Sequence, residues 1–240
     1  MKAVILAGGM GVRLRPLTFA IPKPLIPLGE KPILEILVSR LKKFGIKEYI
    51  FLVGYKAEII EVYFGDGSRF GVDIKYMRED KPLGTAGPLS LLYKEGYVSK
   101  DDTFLLLNGD LIFKMDIDNF LDFHKTNGFD LSVCTIKHKM QVPYGVIKME
   151  GHQITGIEEK PVFEYDISAG IYMVNAQPLD LMPYNEFFTM PEYIDMLSAG
   201  GKKVGGYQLY GHWLAIDRLE DISEVVSNKD KWLFDSEQHE

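Results

Sequence analysis

Apolar residues along this chain fall into two rhythms. The first is the short unbroken run: residues 3–7 read AVILA, 49–53 YIFLV and 104–107 FLLL. Runs of that length without alternation predict strands buried on both faces of a parallel sheet. The second is the helical period. Leu34, Leu37, Leu41 and Phe44 recur at it, so residues 31–44 predict a helix that Gly45 stops. A shorter helix is expected over 56–64 and a short strand over 75–77, then a helix opening at Thr85 as its N-cap. A helix over 116–125 turns Phe120 and Phe123 inward and leaves His124 at the surface, and a strand follows over 130–137. Strand and helix alternate, which predicts an α/β fold: a Rossmann-like, mostly parallel mixed sheet flanked by helices.

After residue 137 the rhythm changes. Short strands over 143–147, 153–158 and 169–174 predict a small antiparallel insertion on the main sheet. A helix over 188–200, a strand over 204–209 and a helix over 219–227 complete a single domain, residues 1–228, with a charged tail at 229–240. Trp232, Leu233 and Phe234 in that tail are expected to pack on the body or on a second copy of the chain, which leaves a homo-oligomer open.

Composition narrows the partners. The net charge of −7 argues against broad nucleic-acid binding and against an anionic membrane surface, while leaving room for a local cationic pocket. The one cysteine, Cys134, cannot form an intrachain disulfide and reads as a buried structural thiol. No apolar run approaches the ~20 residues of a membrane span, and no leader precedes the first strand, so a cytoplasmic protein is expected.

The chemistry concentrates in residues 2–25, KAVILAGGMGVRLRPLTFAIPKPL. A buried strand runs into Gly8, Gly9 and Gly11, whose backbone N–H groups can approach a phosphate with no Cβ in the way. Arg13, Arg15 and Lys23 follow, spaced by Pro16, Pro22 and Pro24, which stiffen the loop. A stiff loop with backbone donors and cations suits a polyphosphate. It is neither a dinucleotide fingerprint, because Leu14 stands where the third glycine belongs, nor a P-loop, because no G-x-x-x-x-G-K-[ST] string exists. Further along, Asp110 ends the buried run 104–107 after Asn108-Gly109, a position at the ligand face of such a sheet, although the same residues also make an ordinary turn.

G-G-x-G-x-R-L-x-P-L-T followed by P-K-P-L resembles the signature of the sugar-1-phosphate nucleotidyltransferases, whose domain is the nucleotide-diphospho-sugar transferase type. The resemblance spans residues 2–221 and includes L-G-T-A-G at 83–87, P-Y-G at 143–145 and E-E-K-P at 158–161. Val12 stands where the family usually has Thr. The resemblance implies condensation of an NTP with a sugar 1-phosphate to an NDP-sugar and pyrophosphate, with Mg²⁺ as cofactor, for surface glycan or glycoconjugate synthesis. It implies that Leu6, Gly8, Gly9, Gly11, Glu79, Leu83, Gly84 and Thr85 hold the nucleotide. Arg13 holds the leaving phosphates, Lys23 stabilises the α-phosphoryl charge, and Asp110 binds metal. Gly145, Glu159, Lys160 and Gly170 receive the sugar phosphate in the antiparallel insertion.

Two choices stay open. Many relatives read W-L-D-I-G, with the Asp as second metal ligand; here Ala215 takes that place and a methyl cannot bind metal. Asp217, two residues on and on the same side of an extended strand, is assigned the role; the alternative makes it the cap of the helix at 219–227. The base is the second choice. Glu79 beside the L-G-T-A-G loop points to GTP, as a carboxylate accepts from guanine N1–H and N2–H, whereas the Trp213–Asp217–Asp221 spacing resembles cytidylyltransferases, and thymidylyltransferases share the loop. Two rival readings accompany these: a weak homologue that senses sugar nucleotides, suggested by Ala215, and a transferase for a non-sugar phosphate.

Overall fold

The computed structural model describes residues 1–233. A seven-stranded sheet forms its centre, in the order β12 (Val204–Gln208), β8 (Leu131–Gln141), β11 (Val162–Asn175), β6 (Thr103–Asn108), β1 (Lys2–Ala7), β4 (Glu48–Val53) and β5 (Asp73–Arg78). Its first half alternates as the sequence suggests: β1 (Lys2–Ala7), α1 (Leu17–Ala20), the short hairpin β2 (Pro27–Leu28) and β3 (Lys31–Pro32), α2 (Ile33–Lys43), β4 (Glu48–Val53), α3 (Ala57–Phe64), β5 (Asp73–Arg78) and α4 (Gly87–Lys94). Strands β1, β4 and β5 pair in parallel, and β1 pairs in parallel with β6 (Thr103–Asn108) on its other side.

The unbroken apolar runs follow from burial on both faces. In β1, Ala3 and Ile5 pack with Phe51, Leu105 and Leu107 under α2 and α3, while Val4 faces Ile50, Leu52 and Leu106 under α4. A strand with a layer of helices on each side has no solvent face and so no polar alternation. α2 buries Leu34, Leu37, Val38 and Leu41 at the helical period read from the sequence.

The second half contains β7 (Leu111–Phe113), α5 (Ile117–Asn127), β8 (Leu131–Gln141), the hairpin β9 (Val146–Glu150) and β10 (Gln153–Glu158), β11 (Val162–Asn175), α6 (Met190–Ala199), β12 (Val204–Gln208), β13 (Trp213–Ala215), α7 (Leu219–Ser227) and α8 (Lys229–Trp232). Here the sequence reading needs correction. Residues 169–174 are not part of an insertion. They belong to β11, a 14-residue strand that pairs antiparallel with both β6 and β8 in the main sheet. The first half of β11 and the last half of β8 run on beyond the sheet as a two-stranded ribbon, and β9–β10 form a separate hairpin at its end.

Two further corrections concern single residues. The helix after L-G-T-A-G starts at Gly87 with Ala86 at its N-cap, and Thr85 makes no cap; its hydroxyl accepts from the Met190 N–H at 2.8 Å. His124 is not at the surface but 1% exposed. Asn175 Oδ1 takes the Nε2 proton at 3.0 Å, which leaves Nδ1 to accept from the Ser132 hydroxyl at 2.9 Å, a neutral ring. Burial holds its pKa below the ordinary value, against the opposing hydrogen bond to Asn175.

Trp232 of α8 is 5% exposed and packs with Leu14, Ile26, Ile33 and Ile216 in a third apolar cluster. Its carbonyl accepts from Arg40 at 3.1 Å, and Leu233 lies on the same cluster. Phe234 lies outside the described residues. Among the described residues no helix is long and apolar enough to cross a membrane.

Candidate functional site

The carboxyl ends of β1, β4 and β6 open on one side of the sheet, where α/β proteins of this class bind ligands. Their loops approach closely because glycines let them. The Gly8 carbonyl accepts from the Tyr55 N–H at 3.1 Å, and a Cβ at Gly8 would stand 2.8 Å from Glu79 Oε1. Gly11 adopts φ +59°, its carbonyl receiving both the Leu14 N–H at 3.0 Å and the Thr18 hydroxyl at 2.9 Å. That turn buries Leu14 and leaves Arg13 facing solvent. One more turn, residues 23–25, buries Leu25 and directs Lys23 into the cleft.

Asp110 arrives from β6. The Gly109 N–H donates to Leu6 O at 2.9 Å, holding the β6 end against β1, and the Ile216 N–H donates to Asp110 O at 2.9 Å. The second bond brings β13, which pairs antiparallel with β7, alongside, and places Asp217 at the same spot. Strand β13 stops at Ala215, so tertiary docking rather than strand alternation positions Asp217. Nor does Asp217 cap α7: Arg218 is the N-cap, and Asp221 in the first turn reaches back, its Oδ2 accepting from the Asp217 and Arg218 N–H groups at 2.8 and 2.7 Å.

These elements converge on Lys23. Its ammonium forms ion pairs with Asp110 Oδ2 and, at 2.7 Å, with Asp217 Oδ1. Arg13 reaches Asp217 Oδ2 at 3.1 Å. Burial works against the Lys23 charge, but the two carboxylates outweigh it and hold its pKa above the ordinary value. Burial likewise opposes the Asp217 charge, and Lys23 and Arg13 more than offset it, so its pKa lies below the usual carboxylate value. The other oxygen of Asp110, Oδ1, is buried and has no hydrogen-bond partner among the described residues. A buried carboxylate oxygen without a donor is costly, and a cation or a ligand's proton would relieve it. Two carboxylates with a lone pair to spare fit a hard divalent cation that takes its remaining ligands from phosphate and water. Among the described residues no group of three or more His, Cys, Asp or Glu assembles a fuller metal site.

A cleft of about 660 Å³ opens beside this cluster. Leu6, Gly8, Gly9, Glu79, Leu83, Gly84 and Thr85 line it together with Lys23 and Asp110, whereas Gly11 and Arg13 are not in the lining: Gly11 lies against Thr18 and Lys23, and Arg13 reaches Asp217. Glu79 Oε2 accepts from the Leu83 N–H at 3.0 Å. Burial raises its pKa, with that backbone donor opposing. Gly84, at φ +79°, packs under Phe188 O, and the Ala86 and Gly87 N–H groups donate to the same carbonyl at 2.9 Å each. The chain before α6 thus clamps the L-G-T-A-G loop, and Phe187 reaches the cleft edge.

The residues named for the sugar phosphate divide into two places. Gly170, at φ +69°, lies against Asn108 next to Asp110: a Cβ there would stand 2.5 Å from Asn108 Nδ2. Gly145, Glu159 and Lys160 lie instead at the root of the β9–β10 hairpin, where a Cβ on Gly145 would meet Glu159 Oε2 at 3.0 Å. Among the described residues no hydrogen bond or ion pair links these three to Lys23, Asp110 or Asp217. Sequence reasoning missed Asn108 and Phe187. Asn108 had a signal, its place at the tip of a buried strand before Gly-Asp; Phe187 had none, because only the fold brings residue 187 to residue 84.

Fold and site together define an α/β protein whose strand ends hold a polyphosphate-type loop beside two carboxylates bridged by a lysine. The chain belongs to the nucleotidyl transferase family, whose sequence profile matches residues 2–226. It is 36% identical over 229 residues to a mannose-1-phosphate guanyltransferase of Yarrowia lipolytica, covering 92% of this chain and 62% of that protein. A UTP–glucose-1-phosphate uridylyltransferase of Synechocystis sp. is 32% identical over 247 residues, covering 94% and 62%. The chain thus spans about 62% of the length of these relatives. The structure of HddC from Yersinia pseudotuberculosis superposes with TM-score 0.74 at 23% identity, covering 95% of this chain and 99% of that one, which shows the shared fold.

Proposed function

We propose that this chain condenses an NTP with a sugar 1-phosphate to give an NDP-sugar and pyrophosphate. The carrying observation is Lys23 held between Asp110 and Asp217 at the edge of the glycine-lined cleft. A sugar phosphate oxygen attacks the α-phosphorus in line; the bond from that phosphorus to the β-phosphate oxygen breaks, and pyrophosphate leaves with the electron pair. The nucleophile is already anionic, so no general base is required. The chain's contribution is positioning and charge. Gly8, Gly9 and Gly11 present backbone donors to the phosphates, Arg13 holds the leaving pair, and Lys23 offsets the charge building on the α-phosphoryl group. Asp110 and Asp217 are the residues that would hold Mg²⁺. When bound, it supplies the positive charge that lets two phosphate anions approach. Gly145, Glu159, Lys160 and Gly170 receive the sugar phosphate. The product supplies glycosyl units for glycan or glycoconjugate synthesis in the cytoplasm.

GTP is the donor this reading favours. Glu79 supports it as a half-buried carboxylate at the cleft wall with one oxygen not engaged by Leu83, and so does the likeness to the mannose-1-phosphate guanyltransferase of Yarrowia. The experiment is a matrix of four NTPs against mannose, glucose and related sugar 1-phosphates, read as pyrophosphate release. GTP with mannose 1-phosphate is expected to give the highest kcat/KM. Turnover with UTP or TTP alone would overturn the base assignment, and no turnover with any pair would overturn the reaction.

A further inference from the structure

One side chain at the cleft has no part in the reaction as described so far. Phe187 lines the cleft beside the L-G-T-A-G loop, with its Cε2 3.3 Å from where a Cβ on Gly84 would stand, and it is 63% exposed. A single exposed phenylalanine is ordinary on a protein surface. This one is held from both sides. The Asn185 N–H donates to the hydroxyl of Ser90, a buried residue of α4, at 3.2 Å. The Phe188 N–H donates to Leu83 O, and the Phe188 carbonyl accepts from Ala86 and Gly87, all at 2.9 Å. The Met190 N–H then reaches the Thr85 hydroxyl at 2.8 Å. Phe188 packs on the apolar cluster that contains Leu83 and Leu89, while Phe187 stays at the cleft. Hydrogen bonds on either side thus fix the backbone of an aromatic residue whose ring is largely uncovered.

We propose, resting on the nucleotide reading above, that the Phe187 ring stacks on the base of the bound NTP. A base whose edge is read by Glu79 keeps two flat π-faces that hydrogen bonds cannot satisfy, and an aromatic ring covers one of them. Two aromatic residues line the cleft among those described. Tyr55 is tied to the phosphate loop, its N–H on Gly8 O and its hydroxyl on Thr18 O at 3.0 Å. Phe187 lies against Gly84, on the wall it shares with Glu79 and Leu83. Its backbone is already ordered and its side chain has only two torsions, so little freedom is lost on binding. Every base has a π-face, so this contact adds affinity without choosing among bases. The choice stays with Glu79.

Titration calorimetry on the whole chain, with Mg²⁺ and no sugar phosphate, tests it. The probes are the four NTPs and inorganic tripolyphosphate, which has the phosphates and no base. Phe187→Ala is expected to weaken the tightest-binding NTP by about 10-fold or more and to leave tripolyphosphate affinity unchanged. Phe187→Trp is expected to bind that NTP at least as tightly as the wild type, because a larger ring keeps the stack. Equal weakening of NTP and tripolyphosphate in Phe187→Ala would show a displaced loop and overturn the proposal. So would a loss that Phe187→Trp shares, or an effect confined to the KM of the sugar 1-phosphate, which would put the ring on the acceptor. Unchanged NTP affinity in Phe187→Ala overturns this role alone. A wild type that binds none of the four NTPs overturns the proposed reaction along with it.

Discussion

At the scale of single residues, the site is a balance of charge. Lys23 neutralises two carboxylates that would otherwise repel across the cleft, and Arg13 anchors the more exposed of them. Arg13→Ala and Lys23→Ala are each expected to lower kcat/KM by roughly 100-fold or more, since each removes a fixed cation from a developing phosphate charge. Circular dichroism checks that Arg13→Ala leaves the fold intact, as an exposed side chain should. Asp217→Asn is expected to abolish turnover at physiological Mg²⁺: asparagine keeps the shape and removes the charge. Ala215→Asp should then restore little. The pair matters because Asp217 is not the cap of α7, whose N-cap is Arg218, so a silent Asp217→Asn cannot be excused as a retained cap and would remove Asp217 from the site. Glu79→Gln is expected to cut the preference for GTP over the other NTPs by about 10-fold or more, the scale of a hydrogen bond to a charged group. An unchanged preference in the same NTP matrix would place the base elsewhere.

At the scale of elements, the strand tips of the second half matter most. Gly170 sits in β11 at φ +69° against Asn108. Gly170→Ala combines a left-handed backbone that costs a side chain about 1–2 kcal/mol with a clash at the β6 tip. It is expected to lower Tm by several degrees and to depress kcat/KM by displacing the Asn108–Asp110 turn, measured by calorimetry and steady-state kinetics. A second element-scale test concerns α5, pinned to β8 and β11 through His124. The folded ring is held neutral below its ordinary pKa, whereas the unfolded ring takes up a proton near pH 6.5. The unfolded state therefore binds more protons as pH falls, so the stability this group supports is complete above about 6.5 and is lost on acidification. Urea midpoints between about pH 7 and 5 should decline for the wild type and decline less steeply for His124→Gln.

At the scale of the whole molecule, α8 is part of the body. Trp232 fills a cluster that includes Leu14 and Ile216, the residues next to Arg13 and Asp217. Trp232→Ala is expected to destabilise by about 3–5 kcal/mol and lower Tm by roughly 10 °C. Because that cluster underlies both the phosphate loop and the Asp217 strand end, activity should fall before the fold is lost, which kinetics at intermediate temperature would show. A tail that merely brushed the surface would leave both Tm and activity unchanged.

The sequence by itself determined the strands, the helix periods and the glycine loop, because those signals are local: doubly covered strands must be apolar throughout, and a backbone meeting phosphate must lack Cβ. It also supplied many of the residues that line the cleft, among them Gly8, Gly9, Glu79 and Asp110, which follow the tips of β1, β5 and β6, but not Asn108 or Phe187. The tertiary structure decided what those residues do to each other. Lys23 meets Asp110 across 87 residues and Asp217 across 194, and no local pattern carries such a pairing. The choice between Asp217 as a cap and as a member of the charge cluster was open in the sequence because both acids, 217 and 221, sit at helix-start spacing; only the docking of β13 onto β7 settles which one turns inward. His124 read as a surface residue because its burial comes from β8 and β11 folding over it rather than from its own helix. Residues 169–174 read as an insertion because strand partners cannot be read from a strand's own composition.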